Sequence, residues 1–100
     1  MARALVLKEL ERRFVEKVDS LSTELVALTR EMIRVPSENP PGDESEISQL
    51  VAEKLTSLGL DVQFVEPRPK RVNTLGILRG KAGGRNFLFN GHYDTVPVGA

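Results

Sequence analysis

Between Leu7 and Met32 the apolar residues fall three or four positions apart: Leu7, Leu10, Phe14, Val18, Leu21, Leu25, Leu28 and Met32. That spacing sets them on one stripe of an α-helix and excludes a strand, whose side chains change face at every residue. Glu11, Arg12, Glu16, Lys17 and Glu24 fall on the other face, as a solvated surface requires. The element is one long helix, or two with a joint near Asp19-Ser20, where side chains can cap a new start. Such a stripe is expected to pack on a sheet. A coiled-coil dimer needs a heptad held over a greater length, with charged flanking positions.

Pro36 ends this element, and Ser37-Glu38-Asn39-Pro40-Pro41-Gly42 reads as a rigid, turn-forming connection. A second amphipathic element then begins, with Asp43 expected at the N-cap and Glu46 three residues on in the manner of a capping box. Glu44 and Glu46 also suit the positive end of the helix dipole. Ile47, Leu50, Val51, Leu55 and Leu58 mark its buried face, and Gly59 is placed to be a left-handed C-terminal cap.

From Asp61 the pattern changes to period two. Residues Asp61 to Val65 read as a strand stopped by Pro67 and Pro69, and Val72 to Arg79 as a second. Gly80 to Gly84 reads as a turn and Asn86 to Asn90 as a third strand. The adjacent Phe87, Leu88 and Phe89 imply burial on both faces, hence a central strand. The expected fold class is α/β, two amphipathic helices followed by three strands of a mixed sheet.

Composition narrows the chemistry. Lys+Arg and Asp+Glu are equal at 14 each, so net charge supplies no attraction to nucleic acid or an anionic membrane, and neither is expected as a partner. There is no cysteine, so no disulfide framework and no thiolate ligand exists; any metal rests on His, Asp and Glu. Near the start, charges interrupt the run Leu5-Val6-Leu7 too soon for a signal-peptide core or a membrane span of about twenty apolar residues. A cytoplasmic location is the expectation.

The only histidine, His92, stands in Gly91-His92-Tyr93-Asp94-Thr95-Val96-Pro97-Val98-Gly99-Ala100, a turn-rich run straight after the third expected strand. On an extended chain His92 and Asp94 point to one side. A carboxylate there can accept one ring N–H, which fixes the tautomer and leaves the other nitrogen a better ligand. On spacing alone, a surface-turn histidine beside a turn-forming aspartate satisfies the same pattern. Three other features have simpler explanations. Arg68-Pro69-Lys70-Arg71 reads as a solvated loop, and Gly80-Lys81-Ala82-Gly83-Gly84 lacks the spacing of a phosphate loop. Helix capping accounts for Asp43, Glu44 and Glu46 better than a cation site does.

The string Gly91-His92-Tyr93-Asp94-Thr95-Val96-Pro97 resembles the signature of the co-catalytic metallopeptidase and deacylase family. Acetylornithine deacetylase, succinyl-diaminopimelate desuccinylase, aminoacylase and the glutamate-releasing carboxypeptidases belong to it. The upstream order is similar too: a helix running into Ile33-Arg34-Val35-Pro36-Ser37, then Asn39-Pro40-Pro41-Gly42-Asp43-Glu44, a helix ending Leu58-Gly59-Leu60, and Asn73 before a strand. The resemblance implies hydrolysis of an amide bond in N-acyl amino acids or small peptides by two divalent metal ions, zinc or cobalt. It puts His92 on the first metal ligand and Asp94 on the catalytic acidic residue paired with it. It also implies that residues 1–100 are the N-terminal portion of a catalytic domain. The remaining ligands and the general-base glutamate would follow later in the chain, with a second, dimerising domain that would make the parent a homodimer. The isolated 100 residues are then expected to be inactive. The rival reading is a non-catalytic binding or dimerisation module built on the N-terminal helix.

Overall fold

The computed structural model describes residues 1–99; Ala100, the last residue of the run around His92, lies outside the described residues. The chain divides into two compact units, Met1–Ile33 and Arg34–Ala100.

The first unit is helical. Helix α1 spans Ala2–Ser20 and α2 spans Ser22–Arg34, so the apolar stripe runs over two helices with the joint at Leu21. The Ser20 hydroxyl donates backward to the Lys17 carbonyl (2.6 Å), and so does not cap the helix that follows. The chain turns instead through Leu21, whose N–H donates to the Val18 carbonyl at 3.1 Å. No residue of α1 is buried, and its stripe members Leu7, Leu10, Phe14 and Val18 are exposed. Arg12 is paired with Glu9 and Glu16 along the surface, in the high dielectric of solvent where such pairs add little.

The second unit is built on helix α3, Ser45–Ser57, and on strands β1, Asp61–Arg68, and β2, Arg71–Ile77. The strands form an antiparallel hairpin, in register from Asp61 opposite Ile77 to Val65 opposite Asn73. Helix α3 lies against both strands. Ile47 is 1% exposed and Ala52 8%, and half-buried Leu55, Leu60, Val62 and Ile77 complete this small core. Gly76 lets helix and hairpin approach closely: a Cβ there would stand 2.9 Å from Leu60 and 3.0 Å from Leu55.

The C-terminal cap of α3 agrees with expectation. Gly59 has φ +87°, its N–H donates to Thr56, and the Leu60 N–H donates to Leu55, the paired bonds of a Schellman motif. Its start differs by one residue. Glu44, not Asp43, is the N-cap and makes no side-chain cap bond; Asp43, one residue earlier, still accepts a first-turn donor, the Ser45 N–H, at 3.0 Å.

The sheet is a correction to the sequence reading. Among the described residues it has two antiparallel strands and is not mixed, and residues 86–90 carry no strand. A strand is defined by its ladder, and no described strand pairs with this run. Phe87, Leu88 and Phe89 are accordingly 81%, 85% and 89% exposed, the two phenyl rings meeting edge-on at 4.9 Å. Strand β1 also runs through Pro67, at a shift in register between Val65 and Arg68 where no ladder N–H is demanded. The hairpin closes through Pro69 and Lys70, the latter at φ +67°.

Candidate functional site

The segment around His92 is held by backbone bonds to the connection before α3. The Thr95 N–H donates to the Ser37 carbonyl (3.0 Å) and the Asn39 N–H donates to the Thr95 carbonyl (2.8 Å), a parallel bridge centred on Glu38 and Thr95. Buried Ser37 adds its hydroxyl, which donates to the Tyr93 carbonyl at 2.9 Å. From the other side the Tyr93 hydroxyl donates to the Val72 carbonyl on β2 and lies 3.4 Å from the Thr74 hydroxyl. Tyr93 is thus anchored through its side chain and Thr95 through its backbone, which fixes the loop that carries His92 and Asp94.

There the two side chains meet. His92 Nδ1 is 2.8 Å from Asp94 Oδ1 and 3.0 Å from the Asp94 carbonyl. Carboxylate and carbonyl only accept, so the ring carries its proton on Nδ1 and donates it to Asp94. The lone pair of the neutral ring is left on Nε2, and the His92 side chain is 84% exposed. The hydrogen bond to Asp94 raises the imidazole pKa above its ordinary 6.5. The same bond lowers the Asp94 carboxyl below its ordinary 3.8, helped by Asn39 and by the charges of His92 and Arg71.

The second oxygen of Asp94 is also engaged. Oδ2 lies 3.4 Å from Asn39 Nδ2 and 3.5 Å from Arg71 Nη2. That Arg71 nitrogen is 3.0 Å from Glu44 Oε1, and Glu44 is buried at 5% exposure. Arg71, read in the sequence as part of a solvated basic loop, therefore belongs to this cluster. Glu44 serves as its counter-ion, and Asp43 is engaged with Ser45 and Lys70, so the acidic residues before α3 do not converge on a cation. Nothing local marked Arg71, Ser37 or Asn39 as members, because their partners lie far along the chain.

A divalent metal fits the donor set to a limited extent. His92 offers one unencumbered imidazole nitrogen oriented by a carboxylate, the form in which histidine ligates metals. Among the described residues no group of three or more His, Asp or Glu side chains is disposed to hold an ion. The cluster can supply one ligand and its support. Among the described residues, no helix is long and apolar enough to cross a membrane.

The chain is 33% identical over 76 residues to succinyl-diaminopimelate desuccinylase of Pelagibacter ubique, covering 74% of this chain and 19% of that protein. It is 38% identical over 78 residues to the enzyme of the same name from Dinoroseobacter shibae, covering 78% and 20%. An N-formyl-4-amino-5-aminomethyl-2-methylpyrimidine deformylase of Halalkalibacterium halodurans is 27% identical over 101 residues, covering 98% and 23%. The chain spans about a fifth of the length of these curated relatives. No family model and no solved structure matches it.

Proposed function

Because the chain belongs to the peptidase and deacylase family that includes succinyl-diaminopimelate desuccinylase, we propose that it supplies the first metal ligand of an amide-hydrolysing centre. His92 would bind a divalent ion through Nε2, and Asp94 would hold the ring by Nδ1. In this reading residues 1–100 form the N-terminal portion of a metallohydrolase domain in a protein of the relatives' length. The substrates are N-acyl amino acids or small peptides, the location cytoplasmic and the assembly a homodimer. The observation that carries the proposal is the 2.8 Å contact between Nδ1 and Asp94, which leaves Nε2 exposed and unprotonated in the neutral ring.

His92 would hold one of two divalent ions, zinc or cobalt, which when bound would supply Lewis acidity toward the amide carbonyl and toward water. Asp94 has two tasks in this chain. It selects the tautomer that presents Nε2, and its negative charge raises the basicity of the ring as a ligand. The Ser37–Thr95 bridge and the Tyr93 anchor keep both side chains on one side of the loop. In a protein of the relatives' length, His92→Ala is expected to abolish chelator-sensitive hydrolysis of N-succinyl amino acids. Wild-type activity in that variant would end the proposal.

One observation favours a second reading. The α1 stripe of Leu7, Leu10, Phe14 and Val18 is exposed throughout, which suits a dimerisation helix in a non-catalytic module. Sedimentation of the 100-residue chain distinguishes the two, since a concentration-independent monomer removes the dimer reading.

A further inference from the structure

We propose that Arg71 is a positioning residue that orients Asp94 and, through it, the His92 ring. Its bearing on hydrolysis rests on the functional reading above; its bearing on the geometry does not.

The guanidinium is held on several sides. Nη2 sits between two carboxylates, 3.0 Å from Glu44 Oε1 and 3.5 Å from Asp94 Oδ2. Glu44 is 5% exposed, and a carboxylate so far from water requires a cation beside it. Arg71 Nη1 occupies the notch beside Gly42, only 2.3 Å from where a Cβ would stand. Gly42 has φ +83°, a conformation only glycine takes without strain, so the notch and the turn depend on the same residue. Arg71 itself enters β2 directly after the two-residue turn of the hairpin, which gives its long side chain a rigid base.

The consequence falls on Asp94. Rotation about the bond between Cβ and a carboxylate is soft, so an aspartate with a single partner does not hold its plane. Here Oδ2 is drawn toward Arg71 and Asn39, which turns Oδ1 toward His92 Nδ1. Buried Glu44 anchors Arg71, Arg71 sets Asp94, and Asp94 sets the imidazole. The arginine touches neither the ring nor its free nitrogen.

The test is the tautomer of the single histidine, read from the ring nitrogen shifts of the full chain at a pH above its titration midpoint, where the imidazole is neutral. The wild-type ring should carry its proton on Nδ1 alone. Arg71→Gln should give a mixture of both tautomers, and Arg71→Lys, which keeps the charge, should recover part of the Nδ1 form. If Arg71→Gln loses the fold by stranding Glu44, the Arg71→Gln/Glu44→Gln pair removes both charges and should show the same mixture. A pure Nδ1 tautomer in Arg71→Gln or in the double variant overturns the proposal. Hydrolysis is a separate arm, measured in a chain of the relatives' length. If that protein has no activity while the tautomer shifts as described, the functional reading fails and the positioning role stands.

Discussion

Asp94 holds His92 by Nδ1 at 2.8 Å with one oxygen, while its other oxygen faces Asn39 and Arg71. Both acceptors of one small carboxylate are committed, and the nitrogen left free on the ring is the one that points to solvent.

The pair should show in its titration. The His92 pKa is raised and that of Asp94 lowered, chiefly by their mutual hydrogen bond. A raised histidine contributes stability that is full below its unfolded value of 6.5 and is lost as pH rises through the folded value. A lowered aspartate contributes stability that is full above 3.8 and is lost as pH falls through its folded value. The pair therefore stabilises most between pH 3.8 and 6.5. An NMR titration should place the wild-type midpoint above 6.5, and Asp94→Asn should bring it back down. An unshifted midpoint in the wild type would contradict the contact.

Two glycines with positive φ should respond differently to alanine. Gly59, at φ +87°, has open space where a Cβ would go, so Gly59→Ala should cost only the left-handed backbone penalty of about 1–2 kcal/mol. Gly42→Ala carries the same backbone penalty and must also displace Arg71. Denaturant melts should show both losses, and only Gly42→Ala should also shift the His92 ring signals.

Ser37→Ala removes the hydroxyl that donates to the Tyr93 carbonyl from a position 3% exposed. The loss expected is about 0.5–1.5 kcal/mol, the usual contribution of one hydrogen bond. Hydrogen exchange at the Thr95 amide should quicken, because that N–H is bonded to the Ser37 carbonyl. Unchanged exchange would mean the backbone bridge stands without the hydroxyl.

In the core, Ile47→Ala should cost about 2–5 kcal/mol, since Ile47 is 1% exposed beneath the hairpin. Phe14 is 70% exposed on α1, and Phe14→Ala should stay within about 0.5 kcal/mol. A large loss from Phe14→Ala would mean that something covers the α1 stripe in solution, and would favour the dimer reading.

What could be read in advance was what local sequence decides. The spacing of α3 marks Ile47, which is buried, and Leu50, Val51 and Leu55, which are half-buried, but Leu58 is 62% exposed at the helix end. The small Ser48 and Ala52 are buried where the pattern did not place them. The Gly59 cap follows from the need for a left-handed residue. The meeting of His92 and Asp94 is likewise local, a matter of period two over three residues. Arg71 could not be placed this way, because its partners Glu44 and Asp94 come to it only once α3 packs on the hairpin. The run Phe87 to Phe89 has the composition of a central strand, but a ladder needs a neighbour and the described residues provide none. The start of α3 lies one residue beyond Asp43, whose carboxylate nevertheless accepts a donor of the first turn, the Ser45 N–H.

The most direct test of the central claim is metal content. In a chain of the relatives' length purified with zinc or cobalt, mass spectrometry of the metal should show His92→Ala losing bound ion relative to wild type, with Asp94→Asn between them. Equal metal in His92→Ala and wild type would contradict the account, because the free nitrogen on which it rests would then not be a ligand.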